Sequence, residues 1–177
     1  MQVLRDPSLR KLEKIVTKNP LHDATILHWT GSMWGIGCRL SSITAIERIR
    51  KLKQRPEKQG LIALIPDLSV LDSALIPPAM KHLLNQYWPG NITMVFPYND
   101  PQFKEIAVDG KVAFRVPSDP TLRAFLANLG EPMLSTSINV SGLPAEEDFE
   151  RIERNFASWF DFALLPSPKD TRSEEHT

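Results

Sequence analysis

The sequence predicts an α/β domain built on a twisted, mixed β-sheet with flanking helices. Three observations lead there. Short apolar runs such as 61–65 and 112–116 are closed by proline or glycine, as strands are. Other segments, such as 42–53, repeat apolar residues at helical spacing. The two kinds alternate irregularly along the chain, with no internal repeat, which favours a mixed sheet over a strictly parallel one. The chain has 177 residues and 42% apolar content, enough for one domain with a real core.

The elements follow in order. Ser8–Lys18 reads as a helix, with Leu9, Leu12, Ile15 and Val16 on one face after the start signal Asp6-Pro7. Ala24–Trp29 reads as a strand, and Gly31–Gly37, with its three glycines, as a loop. Ser42–Lys53 reads as a second helix, with Ile43, Ile46, Ile49 and Leu52 as its stripe. Pro56 ends it and pushes Arg55 toward an extended conformation. Leu61–Ile65 is a strand closed by Pro66. Leu71–Leu84 is helical in parts, broken at Pro77-Pro78. Trp88-Pro89-Gly90 is a turn before strands at Ile92–Phe96 and Val112–Val116. Thr121–Leu129 is a helix ended by Gly130. Met133–Thr136 is a strand, Ala145–Phe160 a helix and Phe162–Leu165 a last strand. The domain is expected to span residues 1–166, with a polar tail over 167–177.

Composition excludes several classes. The 21 basic and 21 acidic residues cancel, which argues against a general nucleic-acid coat. Cys38 is the only cysteine, so no internal disulfide and no cysteine-based zinc site can form. His22, His28, His82 and His176 lack metal-ligand spacing and are given surface or core roles; no metal site is expected. No run of about 18 apolar residues is present, so no membrane span is expected. A reducing, cytoplasmic setting is the expected one.

Two polar motifs carry the chemistry: Lys53-Gln54-Arg55-Pro56 and Ser135-Thr136-Ser137-Ile138-Asn139-Val140-Ser141-Gly142. In an extended segment Lys53 and Arg55 would present two cations to one space; they also read as the basic, solvated end of a helix. Ser135, Ser137 and Asn139 alternate, so an extended segment aims all three one way, with Leu134 and Ile138 toward the core. Ser141-Gly142 adds a turn whose N–H groups can cradle an anion. A polar loop satisfying its own backbone is the competing reading. Arg115 ends a strand with a group suited to a carboxylate, or to a surface ion pair.

At these residues the chain resembles the YrdC/Sua5 family, and within it the short bacterial threonylcarbamoyl-AMP synthases. Five blocks carry the resemblance in order. Thr30-Gly31-Ser32-Met33-Trp34-Gly35-Ile36-Gly37-Cys38 resembles the family's Pro-Thr-Asp/Glu-Thr-Val-Tyr-Gly-Leu-Gly-Cys block. Lys53-Gln54-Arg55-Pro56, with Lys58 and Gly60-Leu61-Ile62, resembles its Lys-x-Arg-Pro block. Trp88-Pro89-Gly90-Asn91-Ile92-Thr93, Val112–Pro117 and Ser135–Gly142 resemble its Trp-Pro-Gly-x-x-Thr, Val-Arg-x-Pro and Ser-x-Asn-x-Ser-Gly blocks. Departures stand beside them. Gly31 replaces an acidic residue and Arg39 an Asp; Trp34 replaces a Tyr or Phe, and its larger ring is expected to narrow the pocket; Ile138 replaces an Ala, adding bulk near the nucleotide. The family's C-terminal Pro-Ser-x-Ile-x-Asp segment is absent.

The resemblance implies a YrdC-like sheet curving around a central cavity. It implies an L-threonylcarbamoyladenylate synthase, a nucleotidyltransferase joining L-threonine, bicarbonate and ATP into threonylcarbamoyl-AMP and pyrophosphate. That product feeds the t6A modification of tRNA adenosine 37, so tRNA or the transfer machinery is an implied partner. Lys53, Arg55, Ser137 and Asn139 are implied on the ATP phosphates, with Lys53 and Arg55 catalytic and any Mg²⁺ carried by ATP. Thr30, Arg115 and Ser135 are implied on threonine. A non-catalytic RNA- or nucleotide-binding protein of the same fold is the alternative.

Overall fold

Apolar residues that alternate along each run can cover a sheet on both faces, and the runs do assemble this way. The structure, a computed structural model, describes residues 2–5, 22–54, 60–139 and 143–166. Its strands are β1 (Gln2–Arg5), β2 (Ile26–Trp29), β3 (Trp34–Arg39), β4 (Ile62–Leu64), β5 (Met94–Pro97), β6 (Lys111–Arg115), β7 (Met133–Ser137) and β8 (Phe162–Leu165). They form one sheet in the order β1-β8-β2-β3-β7-β4-β6-β5. β8 is parallel to both β1 and β2, and β4 is parallel to β6. β3 is antiparallel to β2 and β7, β4 to β7, and β5 to β6. The sheet is therefore mixed, as predicted.

Helices α1 (Ile43–Lys53), α2 (Pro78–Tyr87), α3 (Pro120–Leu129) and α4 (Phe149–Phe156) flank it. Helix α1 starts where Ser42 Oγ accepts from the Ala45 N–H and donates to Asp23. It buries Ala45, Ile46, Ile49 and Leu52. These join Leu27, Ile36, Cys38, Ala63, Phe114 and Leu134 in the larger core. Ile43, predicted in the stripe, is exposed. Helix α3 starts on Asp119, whose carboxylate accepts from the Leu122 N–H, and ends at Gly130 with φ 77°. Its Leu122, Phe125, Leu126 and Leu129 pack on Ile26, Leu64, Met133 and Leu164 in a second core on the opposite face.

Four expectations need correction. The predicted loop 31–37 is mostly strand β3. Its glycines mark close approach rather than a turn. A Cβ on Gly35 would stand 2.6 Å from His28 Nε2, and one on Gly37 2.8 Å from the Leu134 carbonyl oxygen. Pro77-Pro78 starts helix α2 instead of breaking one, because proline fits the first helical position. The predicted α-helix 145–160 is confined to Phe149–Phe156: Asp148 caps its start by accepting from the Glu150 and Arg151 N–H groups, and Ala157–Trp159 continue as a 3-10 turn. Lys53 is the last residue of α1, with left-handed Gln54 after it at φ 53°, so no extended segment begins there. Strand β1 was not foreseen. The predicted helix 8–18, the tail 167–177, Arg55, Lys58 and Val140-Ser141-Gly142 lie outside the described residues. Among the described residues no helix is long and apolar enough to cross a membrane.

Candidate functional site

Register places the polar residues. Ser137 pairs with Gly35, Ser135 with Gly37 and Ile62, and His28 with Gly35. Arg115 and Met133 both pair with Leu64. Residues directly opposite share a face, so His28, Arg115, Ser135 and Ser137 all lie on the face that α3 covers only in part. The uncovered portion lines a cavity of about 290 Å³ with Thr30, Met33, Gly35, Ile62, Asn91, Thr93, Arg115, Ser135 and Ser137. Three residues predicted for threonine and one predicted for ATP therefore meet there.

Arg115 is the one charged residue among the described residues that line the cavity. Its side chain is 4% exposed, and Nε donates to the Gly90 carbonyl at 3.0 Å. Nη2 donates to Ser32 Oγ at 2.9 Å and to Asn91 Oδ1 at 3.2 Å. Burial lowers its pKa from the ordinary arginine value. Among the described residues no carboxylate pairs with it, and none of their acceptors takes the Nη1 donors. A buried guanidinium without an acid suits an entering anion. The surface ion pair weighed for Arg115 is not found among the described residues.

Thr30 closes a turn on itself. Its Oγ1 donates to the Met33 carbonyl at 3.0 Å and accepts from the Met33 N–H at 3.2 Å. Ser135 is buried against His28, with Nε2 to Oγ 2.9 Å and His28 Nδ1 to the Ile26 carbonyl 3.2 Å. His28 is fully buried, and burial, opposed by the Ile26 hydrogen bond and helped by the nearby Arg115 charge, drops its pKa to about 4. The imidazole is therefore neutral at pH 7.

The second cluster sits at the end of β7. Lys53 Nζ donates to the Ser137 carbonyl at 3.0 Å and also to Asn139 Oδ1. Ser137 Oγ donates to Asn139 Oδ1 at 2.9 Å. Asn139 Nδ2 donates to the Leu143 carbonyl at 2.6 Å. Lys53, Ser137 and Asn139 thus converge from segments far apart in sequence, and Ser137 belongs to both this cluster and the cavity. Among the described residues no cluster of three or more His, Cys, Asp or Glu could hold a metal ion.

The departures fall differently from expectation. Ile138 is fully buried in the larger core, so its bulk faces away from the cluster. Trp34 belongs to that core too and packs on Trp29 and Phe149 with ring centroids 5.2 and 5.3 Å away. Its narrowing of the pocket is not seen. Arg39 donates to the Leu129 carbonyl at the end of α3. Gly31 has φ 106°, and a Cβ there would stand 2.0 Å from Ser118 Oγ. Sequence reasoning missed Ser32, Asn91 and His28. His28 alternates with Ile26 and lies opposite a Gly-x-Gly pair, a signal readable only once the register of β2 and β3 is known.

A family model described as Sua5/YciO/YrdC, telomere recombination, matches residues 22–177. The chain belongs to the Sua5/YciO/YrdC family. A threonylcarbamoyl-AMP synthase of Shigella boydii serotype 4 is 32% identical over 148 residues, which cover 80% of this chain and 77% of that protein. One of Escherichia coli O1:K1 is 32% identical over 144 residues, 78% of this chain and 75% of its own. The structure is similar to E. coli YciO, with TM-score 0.73, 28% identity, and 92% of this chain and 81% of that one covered. It shares its fold with P. abyssi Sua5 complexed with L-threonine, at TM-score 0.76 and 20% identity, covering 94% of this chain and 50% of that one.

Proposed function

We propose that this family member is an L-threonylcarbamoyladenylate synthase, making threonylcarbamoyl-AMP and pyrophosphate from L-threonine, bicarbonate and ATP for the t6A37 modification of tRNA. The relatives named threonylcarbamoyl-AMP synthase support an enzyme of transferase type. The observation that carries the reading is geometric. Arg115, buried and with no acid beside it among the described residues, opens on the cavity, and Ser137 joins that cavity to the Lys53–Asn139 cluster. Two anions would thus be held side by side.

The chemistry asks for that arrangement. Threonine nitrogen and bicarbonate form a carbamate, with loss of water. A carbamate oxygen attacks the α-phosphorus of ATP, and pyrophosphate leaves with the electron pair of the broken P–O bond. No enzyme-bound covalent intermediate is required, so the protein works by positioning and by charge neutralisation. Arg115 receives the carboxylate, with its Nη1 donors free of described partners. Lys53, Ser137 and Asn139 face the phosphates, joined by Arg55, the second cation of the Lys53-Gln54-Arg55-Pro56 motif. Mg²⁺ enters on the phosphates of ATP.

The test is pyrophosphate release by the full chain. Release that needs both threonine and bicarbonate, and falls at least about a hundredfold in Lys53→Ala, is expected. A second reading, a non-catalytic nucleotide- or RNA-binding protein, draws on one observation. Lys53 is already engaged by Ser137 and Asn139, and phosphate must displace them. ATP or RNA binding without any release would select that reading.

A further inference from the structure

His28 touches no space a ligand can enter, yet it determines what Ser135 offers to one. The imidazole lies across β3 in the room left by Gly35 and Gly37, since a Cβ on either would come within 2.6 or 3.1 Å of the ring. It thereby reaches from β2 over one strand to Ser135 on β7. The Ile26 carbonyl can only accept, so Nδ1 must carry the proton that fills their 3.2 Å contact. In a neutral ring Nε2 is then an acceptor, and the Ser135 hydroxyl donates its single proton to it across 2.9 Å. What remains on Ser135 Oγ is lone-pair density. Thr30, on the same cavity, likewise spends its proton on the Met33 carbonyl.

We infer that His28 is a positioning residue that holds Ser135 as an acceptor only, so that the cavity receives a ligand with its carboxylate toward Arg115 and an N–H or O–H donor toward Ser135. The cavity is thereby polarised, with donors at the arginine and acceptors at the two hydroxyls. A β-hydroxy amino acid, or its carbamate, presents the complementary pair of groups. A dicarboxylate does not, because its second anion would meet lone pairs. The ligand in this inference rests on the synthase reading; the hydrogen-bond direction does not.

Two measurements on the full chain decide it. The first is the tautomer of His28 by ¹⁵N NMR of the imidazole at pH 7. Protonated Nδ1 with unprotonated Nε2 is expected, and the opposite tautomer would overturn the assignment whatever the enzyme does. The second is a double-mutant cycle on L-threonine affinity by titration calorimetry, with ATP affinity as control. His28→Phe should weaken threonine about tenfold and ATP by less than about twofold, and should add nothing in a Ser135→Ala background. Additive effects, or an unchanged threonine affinity in folded His28→Phe, would show that His28 does not act through Ser135. If the native protein binds no threonine, the synthase reading fails, and the tautomer alone then decides whether Ser135 is held as an acceptor.

Discussion

Acidification should unfold this protein partly through one histidine. His28 is fully buried, and its pKa falls from 6.5 to about 4 on folding. The unfolded chain therefore takes up a proton at pH values where the native state does not. Stability is full above pH 6.5 and declines as pH falls toward the folded value. The difference amounts to about 3 kcal/mol once both states are protonated, and about 2 kcal/mol of it is gone by pH 5. The comparison is with His28→Gln, which lacks the titrating ring. Urea unfolding followed by tryptophan fluorescence, with Trp29, Trp34, Trp88 and Trp159 as reporters, gives both curves between pH 7.5 and 5. The native protein should lose about 2 kcal/mol more than the variant over that interval. Parallel curves would refute the reasoning, because they would mean that the ring is protonated as easily inside the fold as outside it.

Other substitutions probe the sheet and the cavity. Gly37→Ala should cost about 1–3 kcal/mol in urea unfolding, since its Cβ would sit 2.8 Å from a backbone carbonyl in a central strand. Arg115→Met should weaken threonine at least about thirtyfold by calorimetry, with a much smaller effect on ATP, because it removes the cavity's buried cation. Gly31→Asp, which restores the acidic residue that the family resemblance places there, should destabilise by about 1–3 kcal/mol in thermal or urea unfolding. The backbone at φ 106° disfavours any side chain, and Ser118 occupies the space for one. An unchanged midpoint would show that the 30–33 turn rearranges freely.

Local chemistry was readable where an element depends on neighbours in sequence. Helix α1 shows its apolar spacing, and helix α3 its Gly130 end, without any tertiary information, whereas the Ser42 and Asp119 caps became visible only in the structure. The order of the five motif blocks was enough to indicate the family. Strand β3 was misread because glycine has two uses, turning a chain and letting another group come close, and sequence does not distinguish them. Helix α4 was drawn too long because residues 145–147 precede the Asp148 cap that starts it and Ala157–Trp159 form a 3-10 turn after it.

What the sequence determined by itself was the inventory: a mixed α/β sheet, the absence of a disulfide, and candidate cations and hydroxyls at Lys53, Arg115, Ser135 and Ser137. Only the tertiary structure decided how they are used. Inserting β3 and β7 between β2 and β4 brings Lys53 within 3.0 Å of Ser137, 84 residues away. The same arrangement places His28 behind Ser135 across 107 residues. Propensity acts over a few residues, whereas strand pairing acts at any separation. The direction of a hydrogen bond in the cavity was therefore written in the pairing of strands and not in any single motif.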